Sequence, residues 1–224
     1  MNLDKLIKMQ RNLDNKIREE KGLQGADLVA NTYVALQVEL AEFANEARWF
    51  KHWSNDQEPR NKDIECHACK GKGEFISDID HFELIKEKCG YCDGTGIQEK
   101  NPLLEEYIDG VHFFLSIAIQ KGWEDSLYLH EGAILDLQAE GFRGGLTGVY
   151  LEMLYFLNKS FMENKRSEKI EKVLKKTLQE FNFSNAWFLF IAIGLIGFEF
   201  TGEQIERAYL DKNKINHERQ ANGY

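Results

Sequence analysis

Hydrophobic residues recur at helical spacing along most of the chain. The first such segment is typical of an amphipathic helix ended by Gly22, with an apolar face formed by Leu3, Leu6, Ile7, Leu13 and Ile17. Further helices are predicted at about residues 27–50, 103–121, 146–161, 167–181, 185–198 and 202–212. Few stretches alternate regularly enough to predict β-strands. The pattern therefore predicts an all-α protein built as a helical bundle.

One predicted helix is apolar on every side. The segment from Trp187 to Phe198 is typical of a central core helix or of a helix buried between subunits. The apolar run that contains it, Ala186 to Phe198, has 13 residues, fewer than the roughly 18 that a membrane span needs. We therefore expect no membrane span, and this much apolar surface favours a homodimer.

Composition and charge narrow the functional classes. The chain has 224 residues, of which 43% are hydrophobic and 29% charged, as in a soluble globular protein. Its formal net charge of −9 repels phosphate backbones and disfavours binding to nucleic acid. The segment MNLDKLIKMQRNLDNK is too polar for a signal peptide, so we expect a cytoplasmic protein.

The cysteines follow the pattern C-x2-C-x19-C-x2-C, at Cys66, Cys69, Cys89 and Cys92. This spacing is expected of a zinc site with four thiolate ligands. Glycines after each pair allow the backbone to turn back, so that its N–H groups can reach the sulfurs. Two disulfides or four unliganded thiols are the alternatives, although a reducing cytosol disfavours disulfides. Because four protein ligands leave no position open for substrate, we expect one structural Zn²⁺.

The cysteine pairs lie in a segment that interrupts the helical pattern, residues 59–101. Its two CxxCxGxG repeats resemble the zinc module of DnaJ-type co-chaperones over about 30 residues. His67 and His81 are competing ligand candidates, but they lack the paired spacing of the cysteines. We therefore predict a helical domain formed by residues 1–58 and 102–224, with a zinc-binding insertion at 59–101. The insertion leaves open an unidentified protein partner.

Carboxylates form a stripe on the predicted helix 27–50. Glu39, Glu42 and Glu46 lie about a quarter turn from an apolar seam, so we expect them to be partly buried. That seam consists of Leu36, Leu40, Phe43, Ala47 and Phe50.

The predicted helix 103–121 carries a second acidic pair. Glu106 and Asp109 occupy one end of a face that becomes apolar at Phe113 and Ile117. Buried together with the glutamates of the other helix, they would repel one another unless a cation is bound. Oxygen ligands favour Mg²⁺, with Mn²⁺ as the alternative. Ordinary solvated helix faces are the simpler interpretation of either pair alone.

The segment YLDKNKINHERQANGY concentrates hydrogen-bond donors near the C-terminus. Lysine and arginine bind phosphate oxygens, and asparagine adds neutral donors. The donors are Lys212, Asn213, Asn216 and Arg219. A polar, frayed terminus is the alternative. Together with a magnesium site, this basic segment indicates a polyphosphate substrate such as a nucleoside triphosphate.

These motifs, taken in order, resemble a known family. The combination of ELAE, EEYID and KNKINHERQANGY is similar to the all-α dimeric dUTPases, notably their bacterial and phage branch, within the MazG-like nucleoside triphosphate pyrophosphohydrolases. MQRNLD and FKHWS also resemble that branch. The resemblance covers most of the chain outside 59–101, and the insertion departs from the usual family pattern.

The resemblance implies a catalytic metal centre and a set of substrate contacts. Two or three Mg²⁺ ions would be bound by Glu39, Glu42, Glu106 and Asp109, and Glu42 or Glu46 would orient the attacking water. The phosphates would be bound by Lys212, Asn216 and Arg219, with Lys51 as a further contact. Trp53 or Trp49 would pack on the nucleotide. Gln10 would bind the uracil edge, Asp14 would accept a hydrogen bond from uracil N3, and His112 would line the pocket or serve as a core histidine.

The resemblance therefore predicts a homodimeric, Mg²⁺-dependent dUTP diphosphatase that forms dUMP and pyrophosphate, with dUDP as a candidate second substrate. Two alternatives remain open at this point. The chain could hydrolyse another nucleotide such as dCTP, or the zinc module could make it a protein- or DNA-binding adaptor with secondary catalysis.

Overall fold

The computed structural model describes residues 1–80, 83–99 and 101–223. The helices are α1 (Leu3–Glu20), α2 (Val29–Ala47), α3 (Pro102–Lys121), α4 (Glu131–Glu140), α5 (Gly145–Met162), α6 (Glu168–Leu174), α7 (Leu178–Ala192) and α8 (Gly202–Ala221). The strands are β1 (Ile64–Glu65), β2 (Glu74–Asp80), β3 (Glu83–Lys88) and β4 (Ile97–Glu99). Helices dominate the fold, which confirms the predicted all-α class.

The chain divides into two compact units, one formed by Met1–Glu42 with Tyr107–Tyr224 and the other by Phe43–Glu106. Both divisions fall inside continuous helices, α2 and α3. The first unit holds α1, α4–α8 and most of α2 and α3, whereas every described strand lies in the second unit.

Side-chain caps explain where α1 and α8 begin. The Asn2 side chain accepts a hydrogen bond from the backbone N–H of Lys5. At α8, Thr201 and Gln204 form a capping box in which each side chain accepts from the other's backbone N–H. α8 then continues to Ala221, beyond the predicted end at residue 212. The polar C-terminal segment is therefore a helix and not a frayed terminus.

The prediction of a single helix over 167–181 is wrong. α6 ends at Leu174, and Lys175 adopts a left-handed backbone conformation with φ 54° before α7 begins at Leu178. α4 was also missed by the sequence pattern. None of its described side chains is fully buried, so it lacks the apolar face that periodicity detects.

The core of the first unit is built around α7. Phe183, Trp187 and Phe190 are completely buried, and each lies within 6 Å of the Phe114 ring of α3, centroid to centroid. The Trp187 indole N–H donates to the carbonyl oxygen of Leu127 at 2.8 Å, which satisfies its buried polar group. The apolar segment is thus a core helix of the chain itself, so it no longer supports the expected subunit interface.

α7 continues into a π-helical turn over Ile193–Gly197. The turn lies against α3, and Gly194 faces the ring of Tyr107. Leu178–Gly197 is long and apolar enough to cross a membrane by length and composition alone, and 56% of its 18-residue apolar window is buried inside the fold. That burial is expected of a core helix.

The second unit carries two small antiparallel sheets. β1 pairs with β4 through Ile64 and Glu99, and β2 pairs with β3 from Glu74 and Lys88 onwards. The β2–β3 hairpin was not predicted from the sequence.

We predict that Gly194→Ala destabilises the first unit by about 1–3 kcal/mol, the usual cost of overpacking a core. A methyl group at this position would lie 2.4 Å from Cζ of the buried Tyr107, which cannot move without disturbing Phe190. Urea denaturation measures the effect. Gly90→Ala is the matched control, because no heavy atom outside the adjacent residues lies within 4 Å of its added Cβ. Equal midpoints for the two variants would contradict the prediction.

Candidate active site and cysteine cluster

Three of the predicted acidic residues come together on α2 and α3. One carboxylate oxygen from each of Glu39, Glu42 and Glu106 lies within 4.8 Å of the other two. Glu39 and Glu106 are half-buried, but Glu42 is exposed, so the expected partial burial is wrong for Glu42. Carboxylates this close repel one another, and a divalent cation relieves the repulsion. An all-oxygen donor set fits Mg²⁺.

The remaining predicted acids have other partners. Asp109 Oδ2 lies 2.6 Å from Nζ of Lys212, and both side chains are largely shielded from solvent. Glu46 forms an ion pair with Arg60 at 3.1 Å. The acidic group of three therefore contains neither Asp109 nor Glu46, and the predicted phosphate ligand Lys212 contacts a predicted metal ligand directly.

The C-terminal donors lie on one face of α8. Lys212, Asn216 and Arg219 are four and then three residues apart, which places them on a single helical stripe. Asn213 is buried at 3% exposure, and among the described residues its side-chain nitrogen has no hydrogen-bond partner. The spacing of the motif thus follows from the helix that carries it.

A buried polar network surrounds Gln10 of α1. Its Oε1 atom is 2.8 Å from the Tyr209 hydroxyl and 2.6 Å from Nδ1 of His112. Its Nε2 atom donates to Asp14 Oδ1 at 2.8 Å, and the Ser116 hydroxyl donates to Asp14 Oδ2 at 2.8 Å. The two residues predicted to bind uracil are therefore hydrogen-bonded to each other and to α3 and α8.

Burial controls the charge of this network. It raises the pKa of Asp14 above its ordinary value, against the opposing hydrogen bonds from Ser116 and Gln10. Burial, assisted by the nearby charge of Lys212, lowers the pKa of His112 to about 3, so the imidazole is neutral at physiological pH. Within the described part of the chain, Nε2 of His112 has no hydrogen-bond partner.

The predicted nucleotide-stacking residues lie in the second unit and are more exposed. Trp53 is 68% exposed and contacts Phe50 edge-on, whereas Trp49 packs between Phe43 and Phe50. Lys51 donates to Oδ1 of Asn45 at 2.5 Å. Of the two tryptophans, Trp53 offers the more accessible ring.

The cysteines form a closed cluster in the second unit. The sulfurs of Cys66, Cys69, Cys89 and Cys92 all lie within 4.8 Å of one another, and all four residues are buried. Backbone N–H groups reach two of them as predicted, from Gly73 to Cys69 at 3.2 Å and from Gly96 to Cys92 at 3.3 Å. Four thiolate donors in this arrangement fit Zn²⁺.

Glycines allow the two cysteine loops to pack backbone against backbone. A Cβ on Gly73 would lie 2.5 Å from the carbonyl oxygen of Gly94, and a Cβ on Gly96 would lie 2.3 Å from that of Gly71. The loops also exchange hydrogen bonds, from Cys66 N to Gly96 O and from Cys89 N to Gly73 O, both at 2.8 Å. Each CxxCxGxG repeat therefore contributes the same contacts to the other.

The histidines near the cluster take no part in it where they are described. Nδ1 of His67 lies 2.7 Å from Oε1 of Gln98, and its ring contacts Tyr91. His81 lies outside the described residues. The four cysteines are thus the described donors of this site.

A family model described as dUTPase matches residues 2–84 and 91–224. The chain belongs to the dUTPase family. This dUTPase-family chain is accordingly a nucleoside triphosphate pyrophosphohydrolase, as its motifs predicted. The matched segments extend into 59–101 and omit only residues 85–90 of that range. None of the curated proteins matches the chain significantly.

Sequence reasoning missed two residues of the polar network around Gln10, Ser116 and Tyr209. Both contact the predicted uracil-binding pair only through tertiary packing. The position of Tyr209 in the sequence was one weak indication, because it precedes the predicted phosphate ligand Lys212 by a single helical turn.

We predict that Cys66→Ser releases zinc without abolishing hydrolysis. A module with so small a core depends on its metal for folding, so amide exchange should rise within residues 64–97 while the helical content stays. Turnover should remain within about tenfold, a change of about 1.4 kcal/mol in the barrier. Atomic emission measures zinc, and kinetics are run on the same sample.

The matched control is His67→Ala, which should retain zinc because His67 lies outside the cluster. Complete loss of turnover in a Cys66→Ser protein that is still helical would show that the module contributes to catalysis.

Proposed function

We propose that this protein is a Mg²⁺-dependent dUTP diphosphatase that hydrolyses dUTP to dUMP and pyrophosphate. The observation that carries the proposal is the group formed by Glu39, Glu42 and Glu106, whose donor set fits a hard divalent cation, in a chain of the dUTPase family. Mg²⁺ bound there would neutralise phosphate charge and make water a stronger nucleophile.

Glu42 is the proposed general base. Its exposure lets water reach it, and a carboxylate within hydrogen-bond reach can accept the proton as the water attacks. Glu46 is less suited to this role because Arg60 already pairs with it. In-line attack then depends mainly on how the residues position and neutralise the triphosphate.

The proposed phosphate contacts are Lys212, Asn216 and Arg219 on α8, with Lys51 as a further donor. Their common helical face supports this role, because a phosphate chain can be followed by donors spaced one turn apart. Trp53 is proposed to pack on the nucleotide, since its ring is exposed. Asp109 holds Lys212 in place from α3.

The base is proposed to be recognised by Gln10 and Asp14. Uracil presents a carbonyl acceptor next to an N3–H donor, which complements an amide N–H beside a carboxylate. Cytosine presents an amino donor and an N3 acceptor instead, so its amino group would face the amide N–H of Gln10, one donor against another. Thymine differs only by a methyl group, and its exclusion would be steric and weaker. His112 lines the same network.

Three further features belong to the proposal. The four cysteines bind one structural Zn²⁺. The active form is a cytoplasmic homodimer. Because α7 is buried inside the chain, the support for a dimer comes from apolar side chains that α2 and α5 expose, namely Val34, Val38, Leu151 and Tyr155. Light scattering should therefore give twice the mass of one chain.

Release of pyrophosphate from purified protein with Mg²⁺ and each deoxynucleoside triphosphate tests the function. We expect dUTP to have the highest specificity constant, and a parallel assay with dUDP defines how many phosphates are needed. Comparable constants for dCTP and dUTP would favour a pyrophosphohydrolase of broader or different specificity.

We predict that Glu42→Gln lowers turnover at least about a hundredfold while the protein stays folded, because a general base contributes at least this much. Without Mg²⁺ the variant should melt no lower than wild type, since one of three repelling charges is gone. It should also gain less stability from added Mg²⁺.

Glu105→Gln on α3 is the matched control and should leave turnover close to wild type. Near-normal turnover of Glu42→Gln would remove Glu42 from the metal centre.

We also predict that kcat/KM for dUTP falls at low pH, an acid limb of the pH profile that is caused by protonation of Asp14. Its raised pKa means that it is protonated at a higher pH than an exposed aspartate, and the protonated group accepts hydrogen bonds poorly. Asp14→Asn, which stays neutral, should remove this limb and keep activity at neutral pH within about tenfold.

The same substitution reports on stability. Because burial disfavours the ionised form, Asp14 destabilises the fold above its raised pKa. This destabilisation diminishes as the pH falls from the raised pKa towards the ordinary value of 3.8, and it is absent below that value. Asp14→Asn should therefore raise the free energy of unfolding at neutral pH. An unchanged acid limb in the variant would show that another group causes it.

A further inference from the structure

The hydrogen bonds around Gln10 define which way its amide points. Oε1 accepts from the Tyr209 hydroxyl at 2.8 Å and from Nδ1–H of His112 at 2.6 Å, while Nε2 donates to Asp14. An inverted amide would set its oxygen 2.8 Å from a carboxylate oxygen that already acts as an acceptor. Both Asp14 oxygens accept in the observed arrangement, because Ser116 donates to the second one. One N–H of Gln10 therefore remains for a ligand.

The neutral state of His112 reinforces this polarity. A neutral imidazole has one N–H, and here that hydrogen lies on Nδ1 and points at Gln10. The Tyr209 hydroxyl is the second donor, and it comes from a different helix, α8. The Gln10 oxygen thus has both of its lone pairs occupied by buried donors.

The ring and the hydroxyl of Tyr209 have separable roles. The ring is fully buried and stacks on His112 with a centroid distance of 4.1 Å and an interplanar angle of 19°. The hydroxyl approaches Gln10 Oε1 at 2.8 Å and the Leu6 carbonyl at a longer 3.3 Å. A phenylalanine would keep the stacking and remove only the donor.

We propose that Tyr209 is a positioning residue that fixes the amide orientation of Gln10 and thereby determines which base the site accepts. The inference rests on the proposed function, in which Gln10 and Asp14 contact the base. A fixed amide presents one donor next to the acceptor Asp14, which matches uracil. Without the Tyr209 hydroxyl, Asp14 and His112 still set the polarity of the amide, but one of the two donors to its oxygen is gone. The remaining N–H is then held less firmly against the base, and the discrimination against cytosine weakens.

The kinetic test is Tyr209→Phe, assayed with dUTP and dCTP. We expect the preference for dUTP to fall about three- to tenfold, the effect of one buried hydrogen bond, through KM and not kcat. Tyr33→Phe is the matched control. It removes another buried tyrosine hydroxyl, one that bonds Ser160 at 2.8 Å, and should leave the preference unchanged. A preference that Tyr209→Phe leaves intact would overturn the role in specificity.

A second measurement decides the orientation without any catalysis. In protein labelled with ¹⁵N-glutamine, the Gln10 side-chain signals are identified as the pair lost in Gln10→Glu. We expect Tyr209→Phe to shift these signals and speed their exchange with water, and Tyr33→Phe to leave them unchanged. Unaltered Gln10 signals in Tyr209→Phe would overturn the proposal. If the wild-type enzyme shows no preference for dUTP, the proposed function fails, while the nuclear magnetic resonance result still decides whether Tyr209 fixes the amide.

Discussion

Repulsion between carboxylates is the constraint on which the rest of this molecule depends. Glu39, Glu42 and Glu106 are held within 4.8 Å, so other contacts must keep their helices in place. Both α2 and α3 make such contacts close to the acids. The Tyr150 hydroxyl of α5 donates to the Leu40 carbonyl of α2 at 2.9 Å, and Tyr107 of α3 stacks on Phe190 of α7 at 4.5 Å. The apolar core around α7 thus helps to hold the helices that bring these acids together, and active sites commonly carry such a cost in repulsion.

The polar network of α1, α3 and α8 is also costly to bury, and hydrogen bonds offset its cost. Its members are buried apart from the half-buried Asp14, so each missing partner would cost free energy, and nearly all are satisfied. Among the described residues, the unsatisfied buried atoms on these helices are Nε2 of His112 on α3, and Nδ2 of Asn213 and Oε1 of Gln220 on α8. The same two helices provide Asp109 and Lys212. Unsatisfied buried groups in an otherwise complete network are typical of a surface that a ligand completes.

Sequence reasoning succeeded where the determining contacts are local. The i, i+3 spacing on α2 and the C-x2-C pairs both follow from the geometry of a short backbone segment, and so do the N–H contacts to the cysteine sulfurs. It failed where distant residues decide. Gln10 and Tyr209 are 199 residues apart, and a hydrogen bond between residues so distant produces no periodic pattern in the sequence. The break at Lys175 and the exposure of Glu42 likewise depend on packing that periodicity does not contain.

The paired ends of the cysteine module have a topological consequence. β1 and β4 lie side by side, Asn101 N donates to the Asp63 carboxylate at 3.1 Å, and Leu103 N donates to the Arg60 carbonyl at 3.1 Å. The chain therefore leaves and re-enters the connection between α2 and α3 at one place. For the helices, the connection has the same span whatever is inserted there, and closing it costs entropy that grows only slowly with length. The paired ends therefore allow the length of this segment to change without a change in the distance that the connection between α2 and α3 has to cover.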